Sequence, residues 1–496
     1  MSLTQRKEGH RSEQRMPPIA ESRVIRRFVF LTTIILSLAL SWQAHGAPSP
    51  DPRTMTFQPL QFRIPEVERA VLSNGMVVHL LEDHDLPLVT VQAYIRTGSI
   101  YDPDGKAGLA GITGAALRGS GTSSTTPEAF DEELEFMASS IESGIGADSG
   151  SVSLSTLTKN LDRSLELYAQ VMMSPAFRED RVNQVKNQVI EAIRRRNDDP
   201  RELADRELAR AIYAGHPLGR ISTVKSVSAI TRKDLVAFHR RFFHPGNLIL
   251  AVAGDFNRKE MLEKLERAFG SWKKVEAPLA EISTPAPGGK PAVLLVRKDI
   301  DQSVIRMGHL GIDKNNPDLH AVTVMNGILG GNGFSSRLMR VIRTREGLAY
   351  NVDSSFQAGR RFPGTFEAET ETKSESTVRA ITLMGEIIKG MTTRHVEDTE
   401  LALAKESIIN SFIFAFTNAA SVANQRARLE FYGYPDGFLE DFRKKIAAVT
   451  KDDVLRAARK YLRPGEMILV VVGDGKKFDQ PLSRFGKVRE VDPESE

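Results

Sequence analysis

An arginine and a tyrosine seven positions apart have side chains that could do chemistry, although their types and spacing alone do not single them out. Arg343 and Tyr350 enclose a short segment that contains one glycine. A fixed cation and a phenol donor can stabilise the negative charge that develops on a carbonyl oxygen under attack. The spacing also fits a surface arginine and a tyrosine at the start of a strand. Without further information, this second interpretation is favoured.

Histidines are the other candidates for chemistry. The chain contains no cysteine, which excludes disulfides, thiolate metal sites and cysteine nucleophiles. A metal site would therefore need histidines and carboxylates. His239 and His244 lie five residues apart around a predicted helix end, and His79 and His84 flank a predicted strand turn. Neither pair has a third ligand at a metal-site spacing, so structural roles are favoured for them and for His216.

The elements that must position these residues occur in two copies. Thr231 begins a predicted capped helix, which leads into a Pro-Gly turn at Pro245 and a buried strand that ends at Asp255. The same three features recur 219 positions further on, at Thr450, Pro464 and Asp474. Three anchors at one offset indicate two homologous lobes, because the period is too long for a solenoid.

The openings of the two copies and the segment between them support this division. Stretches that start at Met76 and Ala292 both have the pattern of a strand, a polar turn and a second strand. Residues 275–290 contain three prolines and a glycine pair, which is typical of a linker. We predict an α+β protein with lobes at residues 60–274 and 291–480. Each would have a mixed, mainly antiparallel sheet with helices on one face, and the lobes would face each other across a cleft.

Four segments resemble the pitrilysin/insulysin family of zinc peptidases, which carries an inverted HxxEH motif. The resemblance covers the chain from about residue 65 to about residue 475, nearly all of the predicted mature protein. The segments that carry it are residues 105–122, 215–220, 245–255 and 329–338.

The resemblance implies that the zinc site has been lost. In active relatives, one helix presents two histidines on one face, a glutamate between them activates the zinc-bound water, and a later glutamate completes the site. The aligned positions here are Gly111, Gly114, Ala115 and Ala192. None of these side chains can bind a metal. Glu191 lies beside the last position, but one carboxylate cannot hold zinc by itself.

The resemblance also changes the interpretation of Arg343 and Tyr350, which match a pair that reaches the substrate near the metal in active relatives. It implies a non-catalytic subunit that has no zinc and supplies this pair to a homologous partner chain carrying HxxEH and zinc. The expected substrate is a peptide or an unfolded protein segment. The alternative is a pseudo-peptidase that acts as a peptide-binding or scaffold protein. An autonomous zinc peptidase is disfavoured because the ligands are absent.

The N-terminus predicts export. Three arginines between residues 23 and 27 precede a mainly apolar run, residues 28–42, and a small-x-small site at residues 44–46. This is the pattern of a secretory signal peptide, which we assign to residues 1–46, with Met16 as an alternative start. The run is too short for a membrane span, so we expect no stable span after cleavage, and a periplasmic location in a Gram-negative source. Residues 1–47 carry the whole net charge of +4, which gives no support to a nucleic-acid partner.

Overall fold

Two six-stranded mixed sheets organise the part of the chain that the structure describes. The computed structural model describes residues 63–275, 278–286 and 291–494. The chain divides into two units, and all of these residues belong to the second, Phe62–Glu496. The predicted signal peptide lies outside the described residues. Among the described residues, every helix is too short or too polar to cross a lipid bilayer.

The first half, residues 63–275, builds one sheet and its helices. Its strands are β1 Glu68–Val71, β2 Val77–Glu82, β3 Leu88–Ile95, β4 Ser140–Ile145, β5 Gly150–Leu157 and β6 Leu248–Gly254. Its helices are α1 Leu109–Gly119, α2 Pro127–Phe136, α3 Leu161–Met173, α4 Glu179–Arg195, α5 Pro200–Ile212, α6 Val224–Ser228, α7 Arg232–Phe242 and α8 Arg258–Phe269.

The second half, residues 291–494, builds the other sheet. Its strands are β7 Ala292–Arg297, β8 Gln302–Leu310, β9 Ile312–Asp313, β10 Val352–Phe356, β11 Ala358–Gly359, β12 Thr365–Lys373, β13 Ile468–Gly473 and β14 Val488–Glu490. Its helices are α9 Leu319–Asn326, α10 Thr377–Thr393, α11 Asp398–Ser411, α12 Ala419–Tyr432, α13 Phe438–Ala448 and α14 Lys451–Tyr461. Two π-helical segments occupy Gly327–Gly331 and Met339–Arg345.

The two sheets have equivalent topologies. The strand order is β1-β2-β6-β3-β5-β4 in the first sheet and β14-β7-β13-β8-β12-β10 in the second. In both, the third strand is parallel to the second and antiparallel to the fourth. The sheets differ at one edge, where β1 is antiparallel to β2 but β14 is parallel to β7. Strands β9 and β11 form a small separate parallel pair.

The sequence repeat coincides with this structural repeat. Thr231 and Thr450 cap helices α7 and α14, and each donates its backbone N–H to the carboxylate three residues on, Asp234 at 2.8 Å and Asp453 at 2.9 Å. Each helix leads through a proline-initiated turn into β6 or β13. The predicted α+β class, with two homologous lobes and a mixed, mainly antiparallel sheet in each, is confirmed.

Each sheet packs one face against the helices of its own half. The core of the first half joins its sheet to α1, α2, α3, α7 and α8, and that of the second joins its sheet to α9, α10 and α14. The opposite face of each sheet carries a helix from the other half. Helix α5 places Leu203, Leu208 and Ile212 on the second sheet, and α12 places Ala427 and Phe431 on the first.

The packing of a helix from each half on the sheet of the other half explains the composition of the central strands. Nearly every residue of β6 and every residue of β13 is buried. Strands covered on both faces have continuous apolar sequences, because neither face of the sheet meets water. Each fully buried Val, Leu or Ile side chain contributes on the order of 1.5–3 kcal/mol. Separation of the halves would expose these strands, so we expect the two halves to unfold together.

The segment between the halves has neither helix nor strand over residues 278–286. One of its carbonyls, that of Ser283, accepts a hydrogen bond from His216 Nε2 at 2.9 Å. Residues 276–277 and 287–290 of the predicted linker lie outside the described residues. The exact domain boundaries therefore stay predictions.

Candidate functional site

Helix α1 presents two of the aligned zinc positions on its exposed face. Asp102 fixes the start of this helix by accepting hydrogen bonds from Gly108 N at 2.8 Å and Ala110 N at 2.9 Å. Burial raises the pKa of Asp102 to about 6, although these hydrogen bonds oppose the shift. Gly111 and Ala115 lie one turn apart and exposed. They can contribute no imidazole to a metal.

Gly114 faces the other way, against the edge strand β4. A Cβ at this position would lie 2.5 Å from Ile145 N and 2.9 Å from Gly144 C, and both of these are backbone atoms. Ser143 on the same strand donates its hydroxyl to Gly114 O at 2.7 Å. By the resemblance, this is the position of the catalytic glutamate in active relatives, and here the helix backbone touches the strand. This backbone has no room for a side chain there.

The fourth position, Ala192, lies exposed on α4, which packs beside α1. Its neighbour Glu191 is also exposed and pairs with Arg194 at 2.6 Å. The described residues contain no group of three His, Cys, Asp or Glu side chains that can hold a metal ion. The four aligned positions thus lie on two adjacent helices without a functional side chain among them.

Four of the five histidines considered as ligands form hydrogen bonds or ion pairs with protein groups, whereas the buried His244 has an Nδ1 with no hydrogen-bond partner among the described residues. His239 Nε2 donates to Met172 O at 2.9 Å, and burial lowers the pKa of His239 to about 4. His79 Nε2 donates to Glu430 at 2.8 Å, and His84 pairs with Asp255 at 2.7 Å. These contacts fit structural roles.

The second half brings Arg343 and Tyr350 together. Arg343 lies in the π-helical segment Met339–Arg345, and its guanidinium carbon lies 4.5 Å from the ring centroid of Tyr350. It also lies 4.6 Å from the ring centroid of Phe334. Tyr350 is 83% exposed and Phe334 is 67% exposed. The result is a cation in contact with two exposed aromatic rings.

Phe334 is the member of this cluster that the sequence analysis did not single out. It lies in the glycine-rich segment 329–338, which was noted for its family resemblance alone. The sequence did offer one signal, which is a large apolar residue among glycines and serines. A turn of such small residues cannot bury a phenylalanine, so the pattern predicts an exposed aromatic ring. Its contact with Arg343 depends on tertiary structure and could not be predicted from spacing.

An ion-pair cluster anchors the chain that carries Arg343. Glu400 on α11 accepts from Arg337 Nε at 3.0 Å and Nη2 at 2.6 Å, and from Arg340 Nη2 at 2.9 Å. Burial would raise the pKa of Glu400, but these arginines hold it below its usual value. The segment also buries Met339 and Ile342 in the core. Arg343 is therefore presented by an anchored segment.

Tyr350 also borders a cavity of about 490 Å³ beside strand β12. Charged side chains of both signs line it, among them Arg306, which pairs with Asp205 at 2.5 Å and Glu369 at 3.1 Å. Burial raises the pKa of Glu369, although Arg306 opposes the shift. The cavity offers donors and acceptors next to the exposed phenol.

Comparison with known proteins assigns the family. The family model described as "Insulinase (Peptidase family M16)" matches residues 77–224, and the one described as "Peptidase M16 inactive domain" matches residues 229–408. An uncharacterized zinc protease of Mycobacterium leprae is 30% identical over 335 residues, which are 66% of this chain and 74% of that protein. The chain belongs to the M16 peptidase family. The resemblance to the insulysin family is thereby confirmed.

Two further M16 comparisons bear on activity. The non-peptidase homolog YmxG of Helicobacter pylori is 25% identical over 404 residues, 80% of this chain and 91% of that protein. The crystal structure of a peptidase M16 inactive domain from Pseudomonas fluorescens superposes with a TM-score of 0.76 at 28% identity and covers 83% of this chain and 98% of that chain. Together with the residues at the aligned zinc positions, these similarities support a pseudo-peptidase.

Proposed function

We propose that this M16 chain is the non-catalytic subunit of an exported, heteromeric zinc peptidase. In this proposal it supplies Arg343 and Tyr350 to a homologous partner chain that carries HxxEH and the zinc ion. The observation that carries the proposal is the anchored, half-buried Arg343 beside the exposed Tyr350, in a chain whose aligned zinc positions hold no metal-binding side chain. A pure scaffold has no need of this pair.

The chemistry of the pair fits stabilisation of an oxyanion. Among the described residues, neither the Arg343 guanidinium nor the Tyr350 hydroxyl has a hydrogen-bond partner in this chain, so their donors are free for a substrate. The rings of Phe334 and Tyr350 both contact the guanidinium group, which favours one orientation of it before a substrate arrives. Donors that are already oriented act on a developing oxyanion without reorganisation. The partner's zinc would supply the activated water.

A peptide is the substrate that best fits the surroundings. The cavity beside Tyr350 runs along β12 and presents Arg201 and Glu371, which pair with each other at 2.7 Å. Alternating donors and acceptors suit an extended backbone with polar side chains. Export rests on the predicted signal peptide, residues 1–46, and the near-neutral remainder of the chain argues against nucleic acid.

Co-expression tests the proposal. The mature chain is produced alone and together with an HxxEH-bearing homologue from the same genome, and both samples are assayed for zinc and for cleavage of quenched fluorescent peptides. We expect the chain alone to contain no zinc and to show no cleavage, and the complex to show both. Arg343→Ala and Tyr350→Phe should each lower kcat of the complex by roughly 10²–10³-fold, because each removes one oxyanion donor.

Arg345→Ala is the matched control. Arg345 is exposed in the same segment but pairs with Glu346 at 3.1 Å instead of an aromatic ring. We expect this variant to keep the activity, zinc content and assembly of the unsubstituted complex. Stoichiometric zinc with turnover by the chain alone would refute the proposal.

A pseudo-peptidase that serves only as a peptide-binding or scaffold protein is the second candidate. The similarity to a non-peptidase homologue favours it. The same experiment separates the two. A complex that forms and cleaves peptide equally well with Arg343→Ala and Tyr350→Phe identifies a scaffold.

A further inference from the structure

A second cavity, of about 600 Å³, lies between the two halves of the chain and shares no residue with the Arg343–Tyr350 cluster. Four stretches form it. They are residues 147–148 between β4 and β5, residues 213–218 after α5, the loop 357–364, and helix α12 with the residues that follow it. The two halves therefore both contribute to its walls.

Three arginines line this cavity: Arg360, Arg361 and Arg428. Within the described residues none of them forms an ion pair with a carboxylate. Arg361 donates instead to Tyr101 Oη at 2.6 Å and to the backbone carbonyl of Asp148 at 3.2 Å. Arg360 lies 5.0 Å from the ring centroid of Tyr432. The guanidinium groups of Arg360 and Arg361 are thus placed by aromatic, hydroxyl and carbonyl groups that leave their positive charge uncompensated.

The loop that carries two of these arginines is tightly folded. A Cβ on Gly359 would lie 1.8 Å from Phe362 O, and one on Gly364 would lie 2.2 Å from Gln357 O. Tyr213 on the other half donates its hydroxyl to Pro363 O at 3.1 Å. Because the loop closes on its own backbone and is tied to the opposite half, Arg360 and Arg361 extend from a fixed turn.

Cations that converge without a counterion repel one another, and partial burial strengthens the repulsion. The positive field reaches the phenol of Tyr434 in the cavity wall. Burial raises the pKa of Tyr434, and both Arg360 and Arg428 oppose that rise. Asp148, the one carboxylate among the lining residues, reduces the positive field at one side. The lining side chains keep a net positive charge, which suits a bound anion.

We propose that this cavity binds a carboxylate group, either the C-terminal carboxylate of a peptide or an acidic side chain. Planar guanidinium groups match the two oxygens of a carboxylate, and the tyrosines provide flat walls for the groups next to it. A phosphate dianion fits less well, because Asp148 faces the same space. The inference does not rest on the proposed function, since the site lies within this chain and binding needs no partner subunit.

Binding to the isolated mature chain tests the inference. The probes are a fluorescent peptide with one internal glutamate and a free C-terminus, its C-terminally amidated form, and its Glu-to-Gln form. We expect loss of binding when the recognised carboxylate is removed. The two altered peptides therefore show whether the cavity binds the C-terminal carboxylate or the glutamate side chain. Arg428→Gln and Arg360→Gln should each weaken binding by about tenfold, because each removes a charged hydrogen-bond donor.

Arg426→Gln is the control, since Arg426 lies on the same helix but pairs with Glu440 outside the cavity. It should bind the peptide as the unsubstituted chain does. Thermal melting of every variant shows whether folding is retained, and the exposed Arg360 provides a second test if Arg428→Gln fails to fold. Equal affinity for the peptide that is both amidated and Glu-to-Gln substituted, or an affinity of both arginine variants equal to that of the unsubstituted chain, would overturn the inference. Tight binding of inorganic phosphate with no peptide binding would overturn it as well.

Discussion

Both halves of the molecule press a helical backbone against an edge strand, at equivalent places in the two sheets. In the first half, a Cβ on Gly114 of α1 would come within 2.5 Å of Ile145 N on β4. In the second half, a Cβ on Gly330 would come within 2.4 Å of Ser354 N on β10. Both contacts require glycine because backbone meets backbone. The packing of the repeat is therefore retained in both copies.

The side chains near these two glycine contacts, at Gly114 and Gly330, differ in chemistry. The exposed face of α1 carries Gly111 and Ala115, which have no polar side-chain atoms. The chain after Gly330 carries Arg343 in contact with the exposed rings of Phe334 and Tyr350. The difference shows that the fold persists without its catalytic groups. Membership of the family therefore does not by itself fix the function.

Alanine at the two junction glycines should have the largest effect. We expect Gly114→Ala and Gly330→Ala each to lower the free energy of unfolding by roughly 2 kcal/mol, because the added methyl group meets strand backbone. Urea denaturation followed by circular dichroism measures the change. The control is Gly111→Ala in the same helix as Gly114, where a Cβ would meet nothing within 4 Å. It should stabilise the helix by about 0.5–1 kcal/mol. If Gly114→Ala raises the free energy of unfolding as Gly111→Ala does, the backbone contacts at Gly114 and Gly330 are not equivalent.

Lowering the pH should weaken the packing of helix α12 on the first sheet more than the packing of helix α5 on the second. Helix α12 is fixed to the first sheet by Glu430, which accepts from His79 at 2.8 Å, whereas α5 is held by arginine–carboxylate pairs such as Arg306 with Asp205. Burial lowers the pKa of His79, although Glu430 opposes the shift. The unfolded chain therefore takes up this proton at a higher pH than the folded chain, and stability falls as the pH drops below the ordinary histidine range.

The urea midpoints at about pH 7.5 and about pH 5.5 measure this effect, since the ordinary histidine pKa of about 6.5 lies between them. His79→Gln should reduce the difference between the two midpoints. His84→Gln is the control, because Asp255 raises the pKa of the exposed His84 and its removal should enlarge the difference. An unchanged difference in His79→Gln would show that this contact does not govern the response to acid.

The smallest expected effect concerns Phe334. We expect Phe334→Ala to lower kcat of the heteromeric complex by a few-fold, because a cation–π contact at an exposed site contributes on the order of 0.5–1 kcal/mol. Phe334→Tyr should retain activity, since it keeps the ring. Phe136→Ala, at a 93% exposed phenylalanine of the first half, is the matched control and should change nothing. Equal activity of Phe334→Ala and Phe136→Ala would remove Phe334 from the site.

Much of the fold could be predicted because its signals are local. The cap at Thr231 and Thr450 and the apolar runs of β6 and β13 follow from neighbouring residues, and their common offset revealed the repeat. The exchange of α5 and α12 could not be predicted, because an amphipathic helix does not encode which sheet will cover it. The Arg343–Tyr350 pair was identified by resemblance, and its stacking came from the structure.

By itself the sequence determined the two-copy α+β architecture and the types of side chain at the aligned zinc positions, since both depend on residue identity and short-range pattern. Tertiary structure alone decided that Gly114 has no space for a side chain, that Phe334 joins the Arg343 stack, and that three arginines converge between the halves. These features arise where segments distant in the chain come into contact. Packing geometry fixes such contacts, and local pattern does not contain it.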